Sequence, residues 1–539
     1  MNESFKNSKQ LYWTFVLLSV LALLIHLALF INVNLDDAYI TYRYSEHLAN
    51  GFGPVWNTAE RPVEGYSNFL WMLLNAGAIK VGIDPLIASK TIGCISAFAI
   101  CFLPLSGLFK ILPERSSQCL LIATCVFCPA LIFYAQAGLE SALFTLLTYL
   151  VSISFSAYLH KSKSRYLYIS AASAGLAALC RPEGLGVFGI ALIFLLSLAV
   201  KNNSLKQESK SILLFATIFL SFFLPHFIWR LCYYGYPFPN TFYAKHSDGG
   251  LDQIFLGVIY LSGGLSQYLA LPIIFTVLSS HFALSQKAKS PQILDLRVLG
   301  FLLYFIFCYS LYVVTVGGDD YTAFKSYRLL LPIIPVAYLM AAISSSYIQN
   351  LRPSGYLRYL PSFCFVILIL AVNSKESHEL LKAYNYNAIS SKDGFLTACR
   401  KLFLLKADIL QEPELSKWIR QELPEGGLLA IAQAGKIPYF CKLNCLDTLG
   451  LNDLHIAHSK KRQRGIDVKM DANYVLKRKP DLIFINVDRQ VVSGKKTFEE
   501  GGGWKLGDKE LLNLLANNPD YQLVDAPTIM VCYKRSRNQ

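Results

Sequence analysis

LYWTFVLLSVLALLIHLALFI, Leu11 to Ile31, followed at once by NVNLDD, Asn32 to Asp37, is the stretch on which the fold turns. A helix needs roughly 20 apolar residues to span the hydrocarbon core of a bilayer. This run has the length and holds no Asp, Glu, Lys or Arg. Lys6 and Lys9 precede it as they would in a signal peptide, but the run exceeds a usual signal core and has no small-x-small cleavage site before Asn32. A retained transmembrane helix is therefore expected. The adjacent carboxylates Asp36 and Asp37 then stand where the helix leaves the bilayer. Slipping inward would cost them solvation, so the position suggests a task at the membrane surface.

The same apolar signal recurs. Runs near residues 11–31, 85–108, 118–137, 141–160, 166–180, 184–200, 211–230, 252–279, 298–316, 328–347 and 358–373 predict about eleven crossings. Composition agrees: of 539 residues 54% are hydrophobic and 16% charged, with a mean hydropathy of +0.39, too apolar for a soluble globular enzyme. A polytopic α-helical membrane protein follows. Basic residues fall in alternate loops: Lys6 and Lys9; Lys110 and Arg115; Lys161, Lys163 and Arg165; Lys201, Lys206 and Lys210; Lys287, Lys289 and Arg297; Arg352 and Arg358. The positive-inside rule makes these loops and the N-terminus cytoplasmic. The remaining loops face outward and carry Asp36, Asp37, Glu46, Glu60, Glu64, Glu140, Glu183, Asp319 and Asp320.

The net charge of +14 does not call for nucleic acid, since basic loops meeting anionic lipid account for much of it. The run Lys460-Lys461-Arg462-Gln463-Arg464 lacks interleaved aromatics and reads as a solvated surface. Most of the thirteen cysteines lie in apolar runs, and Cys125-Val126-Phe127-Cys128, without a second pair, reads as core packing rather than a metal or redox site. No Walker, Rossmann or H-E-x-x-H motif and no internal repeat is present, which argues against a pump, a metalloprotease or an inverted-repeat transporter.

Hydropathy drops near residue 376, dividing the chain into a transmembrane domain, 1–375, and a tail, 376–539. In the tail, β-rich runs at 428–432, 482–485 and 528–533 alternate with helical stretches at Pro413 to Glu422 and Asp508 to Asn517, predicting an α/β domain. An odd number of crossings places it outside the cytoplasm. In an oxidising compartment Cys399, Cys441, Cys445 and Cys532 leave room for one or two disulfides. The first outward loop, about Asn32 to Asp84, is long, and Asp37 to Ala49 and Asn68 to Val81 read as two helices lying in the membrane interface.

Asp36-Asp37-Ala38-Tyr39-Ile40-Thr41-Tyr42-Arg43-Tyr44 with Glu64-Gly65-Tyr66-Ser67-Asn68-Phe69-Leu70-Trp71 resembles the first periplasmic loop of GT-C glycosyltransferases, in particular actinobacterial terminal arabinofuranosyltransferases and their uncharacterised proteobacterial relatives. The resemblance continues at Ala137-Gly138-Leu139-Glu140, Arg181-Pro182-Glu183-Gly184, Pro239 to Lys245, Gly317-Gly318-Asp319, Gly435 to Tyr439 and Asp447 to Asp453, in order along most of the chain. Asp320 departs from it, standing where relatives more often have an aromatic residue. It implies transfer of a sugar, with inversion, from a polyprenyl-phosphate donor to a cell-envelope glycan on the outer face of the bacterial inner membrane. Substrate contacts are implied for Arg43, Glu64, Tyr66, Glu140, Arg181, Glu183, Asn240, Tyr243, Lys245, Asp319 and Arg328.

The residues suit that chemistry by themselves. An acceptor hydroxyl becomes a competent nucleophile when a carboxylate takes its proton, worth typically about 10²–10⁴-fold. Asp36 is assigned the base and Asp37 a supporting role, by resemblance to other acidic pairs. A lipid-phosphate leaving group needs cations, for which Arg181, Arg230, Lys245 and Arg328 are candidates. Simpler readings stand beside these: Asp36 and Asp37 as a helix start, Glu140 and Glu183 as ion-pair partners of Arg181, Arg181-Pro182 as a helix end, Pro239-Asn240-Thr241 as a turn, Lys245 as a snorkelling anchor, Tyr233 to Tyr236 as an aromatic belt, and Asp447 and Asp453 as caps. No all-protein metal cage is visible, although Asp36 with Asp37 could coordinate a hard divalent cation. A transporter or flippase of a lipid-linked sugar, or a non-catalytic assembly protein, are the alternative functions.

Overall fold

A computed structural model describes residues 2–109, 111–112, 114–245, 250–285, 296–319, 326–351, 359–384, 412–423, 426–459, 469–498, 500 and 506–536. Lys110, Lys287, Lys289, Asp320, Arg352, Arg358, Cys399 and the run Lys460 to Arg464 lie outside the described residues. Two compact units are present, one of residues 1–34, 89–225 and 249–409, the other of 35–88, 226–248 and 410–539. The division is thus not serial. The boundary expected at 376 falls within a helix, Leu360–Tyr384, and the second unit gathers three separated stretches.

The first unit is helical. In chain order the helices before the tail are α1 (Asn2–Leu29), α2 (Ala38–Ala49), α3 (Phe69–Lys80), α4 (Pro85–Phe102), α5 (Arg115–Val126), α6 (Pro129–Gln136), α7 (Ser141–Lys161), α8 (Ser164–Cys180), α9 (Gly184–Lys201), α10 (Leu205–Tyr234), α11 (Asn240–Lys245), α12 (Gly250–Gly264), α13 (Ala270–Ser285), α14 (Leu296–Thr315), α15 (Ile334–Leu351) and α16 (Leu360–Tyr384), of which α2, α3 and α11 belong to the second unit. Every one of the eleven apolar runs carries a helix. Among the described residues eight are long and apolar enough to cross a membrane, and α5 with α6 adds a ninth if that bent pair is one span. The bend is 55° and falls just before Pro129, whose ring cannot continue the preceding helix but suits the first turn of the next. Cys125 and Cys128 flank it as buried thiols, in keeping with packing.

Small residues decide which helices sit inside. On α8, the small residues Ala171, Ala174 and Ala178 are compatible with its close packing on α7, and Gly175 makes room for Phe222 of α10. The hydroxyls of Thr145 and Ser152 on α7 bond back to the carbonyls of Ser141 (2.8 Å) and Thr148 (3.1 Å), so these two buried hydroxyls are paired. Accordingly 78% of the α7 span is buried against protein, but 17% of the α10 span, whose Leu213, Leu220, Leu224 and Ile228 are exposed.

The second unit is built on a five-stranded sheet ordered β2-β1-β3-β5-β4, from β1 (Leu428–Ile431), β2 (Asn444–Asp447), β3 (Leu482–Asp488), β4 (Tyr521–Val524) and β5 (Met530–Arg535). β1 pairs in parallel with β2 and β3, and β5 runs antiparallel to β3 and β4. Alternate side chains point to opposite faces. Ala430, Leu446, Ile483, Ile485 and Val531 meet Val475, Leu511 and Leu515 of helices Ala472–Lys477 and Leu506–Ala516. Leu429, Ile431, Cys445, Phe484 and Cys532 face helix Glu414–Glu422 and the aromatic residues Tyr44, Trp56 and Tyr66 of the first loop. Cys441, Cys445 and Cys532 are free, buried thiols in this layer, not the disulfide partners that the sequence left room for.

This packing changes the character of α2. Ala38 through Ser45 are all buried, so α2 is a core element of its unit and not the interfacial helix expected from its tyrosines. Tyr39 and Tyr42 lie edge-on to Tyr439 (ring centroids 5.3 and 6.3 Å apart), and Tyr44 packs on Tyr66 and Trp56. α3 keeps Leu73 and Leu74 exposed, as an interfacial helix would.

Candidate active site

Asp36 and Asp37 enter α2 without capping it. Asp37 occupies the N-cap position in helical geometry and its side chain makes no capping bond. Instead the Asp36 carboxylate is held from the tail: the Gly435 amide donates to Oδ2 (3.1 Å) and the Lys436 amide to Oδ1 (2.8 Å). Burial pushes the Asp36 carboxyl above the ordinary carboxylate range; the Lys436 amide opposes this, the Asp37 charge adds to it, and the Lys436 charge and Gly435 amide oppose it. Burial likewise lowers the Lys436 ammonium, against the attraction of Asp36. Lys436 also lies over the Tyr39 ring, 5.7 Å from its centroid. Among the described residues Asp36 has no guanidinium partner and the Asp37 carboxylate makes no hydrogen bond.

The other first-loop candidates are structural in their contacts. Arg43, 4% exposed, donates from Nε to Trp56 O (2.8 Å), from Nη1 to Pro438 O (2.6 Å) and from Nη2 to Asn57 Oδ1 (3.2 Å) and Leu443 O (2.7 Å), with its guanidinium over the Trp56 ring. With these donors engaged, the expected substrate contact from Arg43 is replaced by a brace. Glu64 is buried against Arg230, Nε to Oε2 at 2.8 Å and Nη2 to Oε1 at 2.9 Å. Tyr66 shares a hydrogen bond with Tyr234 (3.1 Å). Asn240 donates from Nδ2 to the carbonyls of Gly450, Leu451 and Asp453, so it opens a helix and ties down a tail turn. Tyr243 stacks near His458 and Tyr236, beside a shallow cleft of about 200 Å³ lined by Tyr236, Phe238 and Asn240. Lys245 is exposed. Asp447 accepts from the amides of Leu449 and Asn452, and Asp453 caps helix Leu454–His458 through Ile456 N, both as the turn and cap reading held.

A second charged cluster belongs to the helical unit. Glu140 ends the loop before α7, and Arg181 and Glu183 flank Pro182 between α8 and α9. Arg181 Nη1 meets Glu140 Oε1 at 2.5 Å and Nη2 meets Glu183 Oε1 at 2.6 Å. Arg328 Nη2 reaches the same Glu140 oxygen at 2.8 Å and its Nε donates to Ser141 Oγ (3.0 Å). Asp319, behind Gly317 and Gly318 at positive φ, adds negative charge near Arg328. Four of the predicted residues are thus brought together, with Asp319 within electrostatic reach.

Sequence reasoning passed over Lys90. Its ammonium, 7% exposed, donates to the carbonyls of Ile31 (2.9 Å), Val33 (2.6 Å) and Gln136 (2.6 Å), fixing the residues that lead out of α1. The available signal was a lysine inside an apolar run, which marks a paired or functional group. Lys436 had no such signal. Among the described residues no three His, Cys, Asp or Glu side chains converge as a metal cage. The two amides take one lone pair on each Asp36 oxygen and leave the other free.

Residues 88–229 match the family model for dolichyl-phosphate-mannose-protein mannosyltransferase, and residues 405–536 match a domain of unknown function, DUF8728. Each of these two matches covers about a quarter of the chain, and the likeness to solved structures is one of fold. Among solved structures it is similar to ArnT from Cupriavidus metallidurans bound to undecaprenyl phosphate, at 10% identity and a TM-score of 0.55, over 96% of this chain and 97% of that one. It is also similar to the archaeal oligosaccharyltransferase AglB from Archaeoglobus fulgidus, in complex with an inhibitory peptide and a dolichol-phosphate, at 13% identity and a TM-score of 0.51, over 98% and 75% of the two chains. No curated protein matches in sequence.

Proposed function

We propose that the protein moves a sugar from a polyprenyl-phosphate donor to a hydroxyl of a cell-envelope glycan, with inversion, on the extracytoplasmic face of the bacterial inner membrane. The observation that carries this reading is the Asp36 carboxylate: buried, oriented by two neutral amides and not neutralised by an arginine. Such a group keeps its affinity for a proton, as a general base must. The acceptor oxygen attacks the anomeric carbon from the side opposite the phosphate, its proton passes to Asp36, and the bond to the phosphate oxygen breaks with its electrons, leaving polyprenyl phosphate. Within the helical unit, Arg328 and Arg181, oriented by Glu140 and Glu183, are candidate cations for a lipid phosphate. The ligands bound in the two structural relatives, undecaprenyl phosphate and a dolichol-phosphate, support a lipid-phosphate donor.

The test is to incubate the purified protein with a panel of labelled polyprenyl-phosphate sugars and an envelope glycan fraction. One donor should be consumed with label appearing in the glycan. Movement of a lipid-linked sugar across vesicles without its consumption would favour a flippase instead. Exhaustive chelation, read in the same assay, tests the divalent cation that Asp36 with Asp37 could coordinate: a loss of rate restored by added cation supports it, and an unchanged rate counts against it.

A further inference from the structure

We propose that the turn Gly435-Lys436 is a positioning element of the catalytic site, so that the segment matching a domain of unknown function holds the base in register. The proposal rests on the reading of Asp36 as the base. Three observations lead to it.

The two carboxylate oxygens each take one amide, from consecutive residues, and this fork fixes the rotation of the carboxylate plane. Two of its roughly four lone-pair sites are used, leaving others for a proton. The contact also admits only glycine at 435. A Cβ there would lie 2.0 Å from the Asp36 carbonyl oxygen and 2.4 Å from Oδ2, and the nearer of these atoms is backbone that cannot swing away. Finally, the turn is itself held. Arg43 grips Pro438 O within helix Lys436–Cys441 and Leu443 O just past its end, and Trp56 Nε1 donates to Cys445 O (2.8 Å) two residues further on. The brace that removed Arg43 from the substrate contacts therefore has a purpose: it ties α2, which follows Asp36, to the turn that holds Asp36.

Lys436 is the first residue of its helix, which makes a clean test available. Proline is tolerated at a first helical position because its φ is already suitable, yet it has no N–H to donate. Lys436→Ala removes the ammonium and keeps the amide, whereas Lys436→Pro removes both. In the full-length enzyme, kcat of the proline variant should fall about 10²-fold below that of the alanine variant, with KM and thermal midpoint similar in the two, as for a misplaced catalytic group. Gly435→Ala, which displaces Asp36 by contact, should lower kcat in the same way. Equal kcat for the two Lys436 variants overturns the proposal. So does a proline variant whose KM rises and thermal midpoint falls together, since that describes a merely structural turn. Retained activity in Asp36→Asn would instead defeat the assignment of the base on which the proposal rests.

Discussion

Two carboxylate environments occur in this protein, and they differ in what faces the oxygens. Glu140 and Glu183 are clasped by the guanidinium groups of Arg181 and Arg328. Asp36 is clasped by backbone amides. A guanidinium stabilises the ionised form with a full opposite charge, whereas a neutral amide in a desolvated place orients the carboxylate while burial keeps its proton affinity high. The first arrangement builds a rigid ion-pair cluster; the second has the surroundings that the proposed base requires. Two sets of acidic residues that look alike in the chain therefore differ in what holds them.

The comparison breaks most visibly at Asp36. Asp36→Asn should lower sugar transfer by about 10²–10⁴-fold, the usual worth of a general base, with a lower thermal midpoint, because its NH2 cannot accept from one of the two amides and a buried donor left unpaired costs about 1–3 kcal/mol. Activity near that of the parent enzyme would end the assignment. At the other site the expected loss is in stability. Glu140→Ala leaves Arg328 without its carboxylate partner and Arg181 with one where it had two, and breaking a buried pair costs about 3–5 kcal/mol, which a lowered thermal midpoint would report. If Glu140→Ala kept its midpoint, these pairs would not hold the cluster together.

The pH profile sharpens the contrast with a smaller effect. Asp36 is raised by burial, so kcat/KM should fall on the acid side with a midpoint above the ordinary aspartate value of about 3.9. The sign for stability is opposite. A carboxyl whose folded pKa is raised holds its proton more tightly than the unfolded chain does, so its own contribution to stability is fully present below the unfolded value and is lost as pH rises through the folded one. An acid midpoint at or below 4 would contradict the burial of Asp36. Smallest is Lys442→Ala, which opens the ion pair with Glu46. Both side chains reach solvent, at 49% and 24% exposure, and such pairs are worth under about 1 kcal/mol, so the midpoint should barely move.

Legibility followed the range of the forces. The helices at all eleven apolar runs could be read because hydrophobic length is a local property, and β1, β3 and β5 because their alternation is. β2 and β4, four residues each, were too short to stand out from the loops around them. The tyrosines of α2 have a composition suited equally to a lipid interface or a protein core. Only the sheet face carrying Leu429, Phe484 and Cys532 decided between the two. Arg43 illustrates the same limit for the site: its motif suggested a ligand contact, but its donors are engaged by carbonyls nearly four hundred positions away, at Pro438 and Leu443.

By itself, the sequence determined a polytopic membrane chain, an acidic pair following the first span and an α/β tail, since apolar length, charge and alternation act over a few neighbouring residues. What the tertiary structure alone decided is that the tail is not an appendage. Hydrogen bonds between Asp36 and the amides of Gly435 and Lys436 join residues four hundred positions apart, and backbone amides carry no signature in the letters of a sequence.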